Sequence, residues 1–289
     1  MEREKDIGTK VYDFLGRFIR YPNDHCRVIH TLWIIHTHLI DAFFTTPRLF
    51  ILSAERRCGK STLNRINKLL SQNANSWVNP SPASVYRFVD LQKAQRPTLQ
   101  IDELDRMYQR GETADMTTLI DSGFQRGDTI PRAEKDKKGQ WSIKTYECFS
   151  PLLLLGIDNG YYPDTVLDRS IPIRLKRMLA NETVEPYRFR KIGPQAAALK
   201  EEVAAWAKTV LEKAGDLEPT MPEEIRQRDA DKWEPLFIVA RLLDRQNVTA
   251  DTDGTAVTDI PGWWETKARE AALATLKEDR EAEPASYRE

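Results

Sequence analysis

The residues best equipped for chemistry lie in "LFILSAERRCGKSTLNRI", residues 49 to 66. Gly59, Lys60, Ser61 and Thr62 follow one another there, and Ala54, Arg57 and Cys58 belong to the loop that leads into them. The pattern G-x-x-x-x-G-K-[ST] binds nucleotide phosphates. A tight loop aims successive backbone N–H groups at phosphate oxygens, the lysine reaches the terminal phosphates, and the hydroxyl meets Mg²⁺. Ala54 stands where that pattern has its first glycine. The glycine contributes turn freedom and no charge or ligand, so alanine serves if the position keeps a negative φ.

A second element strengthens the reading. "TLQIDE" ends an apolar run with Asp102 and Glu103, some forty residues after Lys60. In ATP-hydrolysing sites an Asp so placed holds Mg²⁺ and a further residue orients the attacking water. Acids that merely cap the next helix explain one carboxylate better than two. Together the two elements point to ATP, or a similar nucleotide, with Mg²⁺.

The elements that must position these groups read as an α/β core. "RLFIL" predicts a buried strand, with a loop at 53–60 and a helix from about Lys60, the context that the phosphate pattern requires. "SWVNP" predicts a second strand, "SPASVYRFVDLQKAQ" a helix entered through a serine cap, and "PTLQIDELD" the strand that carries the acids. "TADMTTLIDSGFQRG" reads as a helix closed by glycine. An irregular strand at 128–134, the turn "KDKKGQ" and the alternating "WSIKTYECF" predict a hairpin. "PLLLLGIDN", the most apolar short run, predicts a central strand of a parallel sheet. Before this core, in residues 1–45, Val28, Leu32, Ile35 and Leu39 recur on one helical face. His25, His30, His36 and His38 lie in the same stretch. His36 and His38, two apart, do not share a helical face, so buried or capping histidines are expected and a metal cluster is not. After about residue 185 the pattern turns helical, with helices at "PQAAALKEEVAAWAKTVLEKAGD", at "WEPLFIVARLLDRQ" with Pro235 in its first turn, and at "WWETKAREAALATLKEDRE". The expected division is 1–45, an N-terminal helical segment; 46–184, the α/β core; and 185–289, a C-terminal all-α lid.

Composition narrows the function classes. Forty-three Lys and Arg against 44 Asp and Glu leave a net charge of −1, which excludes a basic body that coats nucleic acid. Any such contact is local. Its candidate is 126–144, with six basic residues against three acidic, although a solvated hairpin tip explains the same run. No apolar run approaches a membrane span, and the start "MEREKDIGTK" lacks a secretory stretch. Cys26, Cys58 and Cys148 have neither metal-ligand spacing nor an even count, so a reducing cytoplasm is expected.

The combination of "LWIIHTH", "TTPRLFILSAERRCGKSTL", "NPSPASVYR", "PTLQIDELD", "DSGFQRG", "YPDTVLDRSIPIRLKR" and "RDADKWEPL" resembles the uncharacterised P-loop domain of phage, prophage and plasmid primase-helicase polypeptides. The resemblance runs from about residue 10 to 275. More distantly the arrangement is similar to AAA+ ATPases, including the minichromosome maintenance helicases. It implies a P-loop, AAA+-like fold with a helical lid, and a role for each of several residues. Asn159 would be a polar sensor of the γ-phosphate; a turn residue before Gly160 is the plainer alternative. Arg169 would be a finger offered to a neighbouring subunit's nucleotide, against a salt bridge with nearby acids. Arg228 would be a second sensor laid over the phosphates, with Arg226 two residues away as its rival. The hairpin at 126–144 would point into a central DNA pore. The finger implies a ring-like homo-oligomer, the hexamer first. The 45 residues before the first strand are too few for a primase domain, so a primase or replication protein would be a separate partner. Two departures stand out: Gln100 interrupts the acid-bearing strand and needs a partner, and the turn "GIDNGYYPDT" is longer than usual.

The leading expectation is an Mg²⁺-dependent ATPase that moves or remodels DNA in the replication of a mobile element. The alternative is an ATP-controlled oligomeric switch or scaffold, in phage defence or regulation. A small-molecule kinase leaves "LDRS" and the hairpin unexplained. A GTPase lacks its N-K-x-D sequence.

Overall fold

The protein, a computed structural model, is described over residues 6–55, 57–109, 113–135, 139–158, 160–246 and 261–282. Its strands are β1 Arg48–Ser53, β2 Asn75–Val78, β3 Leu99–Asp102, β4 Thr129–Lys135, β5 Trp141–Glu147, β6 Leu152–Ile157 and β7 Ser170–Leu175. Its α-helices are α1 Ile7–Phe18, α2 Asp24–His38, α3 Lys60–Leu70, α4 Pro82–Leu91, α5 Leu104–Gln109, α6 Thr113–Ser122, α7 Asp164–Asp168, α8 Phe189–Gly215, α9 Arg228–Gln246 and α10 Trp263–Ala282.

Five strands form one parallel sheet in the order β2-β3-β6-β1-β7, while β4 and β5 form a separate antiparallel ribbon. The apolar run "LLLLGI" is β6, the middle strand. Both faces of the sheet are covered, so β1 alternates its burial partners with a period of two. Leu49 and Ile51 join one apolar cluster, Phe50 and Leu52 the other.

The first cluster runs without a break from α1 and α2 through β1, β7 and α3 to α8, α9 and α10. Across the expected division at residue 185, the described residues of the C-terminal helices share this core with the N-terminal pair. The reason is α2, which is buried nearly all round and leaves apolar surface on every side to be covered. Its histidines are spent inside. His30 bridges the Tyr21 hydroxyl at 2.6 Å and Asn67 at 3.0 Å, His38 contacts the Leu70 carbonyl at 2.8 Å, and His36 stacks on Phe43.

Local chemistry sets most boundaries. Asp6, Asn23 and Ser81 cap α1, α2 and α4 through side-chain oxygens that accept backbone N–H bonds. Two expectations need correction. Pro235 lies well inside α9, not in its first turn, because the helix already starts at Arg228. The carbonyl that a proline cannot satisfy, that of Asp231, instead accepts the Thr45 hydroxyl at 2.6 Å. Gly123 follows α6 as expected, yet its φ is not positive. Glycine is required there because a Cβ would overlap the Arg48 guanidinium and the Cys148 carbonyl.

Candidate functional site

At its carboxyl end β1 passes into the phosphate-type loop, and α3 begins at Lys60. The Glu55 carbonyl gathers the loop, accepting the Ser53 hydroxyl at 2.8 Å and the Cys58 thiol at 3.2 Å. Positive φ values fall on Arg57 (67°) and Gly59 (90°), and none on Ala54, so the loop places no left-handed demand on the alanine. A Cβ at Gly59 would meet nothing within 4 Å, which leaves an open space over the first turn of α3. Ser61 faces solvent and Thr62 is half-buried in that turn. The free N–H groups of a helix start and its positive dipole end make this a place for an anion.

The Lys60 ammonium is already engaged. Its Nζ donates to the Gly156 carbonyl at the end of β6, at 2.8 Å. Burial pushes its pKa down, while Asp105 and then Asp102 pull it up. Asp102 ends β3 and Glu103 follows it, separated from β1 by β6 alone, so the loop and the acids stand together at the carboxyl ends of the central strands. Asp102 Oδ1 accepts the Glu103 N–H at 2.8 Å. Glu103 takes a φ of 61°, a strained value for a residue with a side chain, and its Oε2 is held by Arg106 Nη1 at 2.8 Å. Gln100, the polar interruption of β3, donates to the Asn64 carbonyl at 2.8 Å, which ties the acid strand to α3.

Three groups here escape the sequence reading. Buried Asp105 accepts the Ile157 N–H through Oδ1 at 3.2 Å, and the Tyr162 hydroxyl donates to the Ile157 carbonyl at 2.8 Å. Gly156 must lack a side chain because a Cβ would overlap that hydroxyl. Arg174, on β7 opposite Leu52, pairs with Asp158 at 3.4 Å beside the loop. Asp105 was in plain sight in "IDELD"; Tyr162 and Arg174 carry no local signal. Asn159 lies outside the described residues.

The remaining candidates are elsewhere. Arg169 precedes β7 and Arg228 opens α9; both guanidiniums lie over the Phe124 ring, at 6.0 and 5.4 Å from its centroid. Arg169 Nη1 donates to the Thr165 carbonyl at 2.9 Å and faces Asp121 at 3.5 Å; Arg228 faces Asp168 at 3.6 Å and Asp231 at 3.4 Å. Since Ser170 pairs with Arg48 and Leu175 with Ser53, this cluster is at the opposite edge of the sheet from the loop. Five residues of strand, at about 3.3 Å each, put roughly 17 Å between them. Arg228 therefore stands with Arg169 at the end of the sheet away from its own chain's phosphate loop. Its rival Arg226 is exposed and bonds the Glu223 carbonyl.

In the segment 126–144, Arg126 bonds the carbonyls of Phe43 and Ile40, and Arg132 pairs with Asp115 at 2.9 Å, so two of its six cations are engaged within the fold. The outward face instead carries Trp141 and Ile143, each 70% exposed, with the Lys135 ammonium 5.1 Å from the indole centroid. Residues 136–138 lie outside the described part. Among the described residues no group of three or more His, Cys, Asp or Glu could hold a metal.

A family model described as a protein of unknown function, DUF3631, matches residues 174–289. A solved structure described as the A form apo structure of the NrS-1 C-terminal region is similar over 73% of this chain and 52% of its own, at 12% identity and a TM-score of 0.43. The chain thus spans about half the length of that region. No curated protein matches the chain. No helix among the described residues is long and apolar enough to cross a membrane.

Proposed function

We propose that this chain is an Mg²⁺-dependent ATP hydrolase with a P-loop, AAA+-like core, which works as a ring-like homo-oligomer, a hexamer first, to move or remodel DNA in mobile-element replication. The observation that carries the reading is that Lys60, at the start of α3, and the acids Asp102 and Glu103 lie together at the carboxyl ends of the central strands. The residues suit the nucleotide and metal. The open helix start and Gly59 offer N–H groups to phosphates, and Lys60 exchanges the Gly156 carbonyl for a phosphate oxygen. Ser61 and Asp102 would hold the metal, together with the nucleotide's phosphates and waters. Bound there, Mg²⁺ neutralises charge that develops on the phosphates. Glu103 positions the attacking water once it leaves Arg106.

Arg169, at the far end of the sheet from its own loop, would act on a neighbouring subunit's nucleotide, with Arg228 beside it. Three buried thiols suit a reducing cytoplasm. A separate primase or replication protein would complete the machinery, and the Trp141 face of the ribbon would meet DNA.

One observation favours the second reading, an ATP-controlled switch or scaffold. With Lys60 docked on Gly156 and Glu103 held by Arg106, the resting chain is set for slow turnover. Steady-state ATP hydrolysis by the wild type and by Lys60→Ala, each with and without DNA, decides between them. Lys60-dependent turnover that DNA stimulates supports the motor; Lys60-dependent turnover that ignores DNA supports the switch; turnover independent of Lys60 rejects both.

A further inference from the structure

An open groove of about 520 Å³ runs between the end of α3 and the start of α8. Leu69 lines it from α3, and Phe189, Arg190, Gly193, Ala197 and Lys200 line it from α8. Steps of three and four residues put these α8 positions on one helical face. Gly193 and Ala197 keep the floor low between the longer side chains. Phe189 is 61% exposed, a large ring that packing in the core does not use. It belongs to the run Tyr187, Arg188, Phe189, Arg190, Lys191, in which rings and cations alternate.

Several cations around the groove carry no ion-pair partner among the described residues. The Arg65 guanidinium, from α3, lies 5.6 Å from the Tyr187 ring centroid. Lys200 is half-buried, and burial alone pushes its ammonium pKa down. Among the described residues Arg65, Arg188, Arg190, Lys191 and Lys200 form no ion pair. Three neighbouring acids are already neutralised: Glu182 by Arg20 at 2.6 Å, Glu185 by Arg17 at 2.8 Å and Glu202 by Lys10 at 2.8 Å. A trough with an apolar floor, an exposed ring and unpaired cations asks for a polyanion with flat apolar faces. Cations hold the backbone of a nucleic acid strand, and aromatic rings stack its unpaired bases whatever their sequence. An acidic helix would meet the same cations, but the large exposed ring of Phe189 favours a flat base over an aliphatic helix face.

We propose that this groove binds single-stranded nucleic acid, with a base stacked on Phe189 and phosphates held by Arg65, Arg190 and Lys200. The site is separate from the phosphate loop and the ribbon. Leu69 lies nine residues along α3 from Lys60, about 14 Å at 1.5 Å per residue. Binding here needs no hydrolysis and so stands or falls apart from the ATPase reading.

The test is fluorescence anisotropy of a fluorescein-labelled (dT)₂₀ with the full chain, without nucleotide, at several salt concentrations. Phe189→Ala should weaken binding about tenfold. The double variant Arg190→Ala/Lys200→Gln should weaken it further and reduce the slope of log affinity against log salt by about 1.4, at ~0.7 for each phosphate no longer neutralised. Lys60→Ala should bind like the wild type. Phe189 and Arg190 are exposed, so melting temperatures should stay near the wild-type value. Wild-type affinity in the groove variants overturns the proposal, as does a wild type that does not bind (dT)₂₀. So does a loss of affinity that only accompanies a lowered melting temperature. Competition by a polyglutamate peptide as effective as by unlabelled (dT)₂₀ would assign the groove to an acidic protein partner and overturn it too.

Discussion

At the scale of single residues, Glu103 is the informative case. Its backbone is strained and its carboxylate is held one turn downstream by Arg106, so the group proposed to position water is detained in the resting chain. Both partners are partly exposed, which makes the ion pair weak enough to exchange. Arg106→Ala should therefore raise basal ATP turnover by a few-fold with little change in nucleotide affinity; a fall in kcat would mean that Arg106 assists Glu103. Ala54 supports a second expectation. Because it does not take a positive φ, Ala54→Gly should leave turnover unchanged and lower stability by about 0.4–1 kcal/mol through the freer unfolded chain. Denaturant unfolding beside a kinetic assay checks both halves, and a faster Ala54→Gly enzyme would show that alanine distorts the loop.

At the scale of elements, the sheet acts through its two edges. The carboxyl ends of β1, β3 and β6 gather the loop, the acids and the carbonyl on which Lys60 rests, while the opposite edge gathers Arg169 and Arg228 around Phe124. Besides its core packing, α9 is tied there by a bond from the Thr45 hydroxyl to the carbonyl that Pro235 leaves open. Thr45→Val keeps the shape and removes the donor, so it should cost roughly 1–3 kcal/mol, because the 5% exposed site leaves that acceptor poorly hydrated. Thermal or denaturant unfolding measures it, and an unchanged midpoint would mean that water replaces the threonine. The same element-scale logic explains why the helix pattern around Pro235 misleads: proline is normally kept out of helix interiors, and here a partner distant in sequence takes up the carbonyl it frees.

At the scale of the whole molecule, two properties follow from what is buried and what is separated. Burial lowers the pKa of His30 and His38 to about 4 and that of His36 to about 3. Their unfolded value is near 6.5, so the folded state holds them neutral and their contribution is complete above that pH. It is lost as pH falls from about 6.5 toward 4, against an opposing trend from acids whose pKa burial raises, such as Asp244 and Asp279. Stability at pH 7 minus that at pH 5 should shrink in His36→Phe by an amount approaching ~1.4 kcal/mol per pH unit; an unchanged difference would show that His36 does not titrate on unfolding. The separation of the two edges gives the second expectation. Lys60→Ala and Arg169→Ala, each inactive alone, should regain hydrolysis when mixed, since one supplies the intact loop and the other the intact arginine; mixtures that stay inactive would reject action between subunits. Much of this architecture was legible in the chain itself. The loop, the paired acids, the middle strand and the hairpin are written in contiguous residues, because strand alternation, apolar runs and turn chemistry act over a few positions. Asp105 and Tyr162 beside Lys60, the shared core of the first and last helices, and the company Arg228 keeps were decided only by tertiary structure. Each depends on residues far apart in sequence, Lys60 with Gly156 or Arg228 with Phe124, and no local pattern records which distant group a side chain will meet.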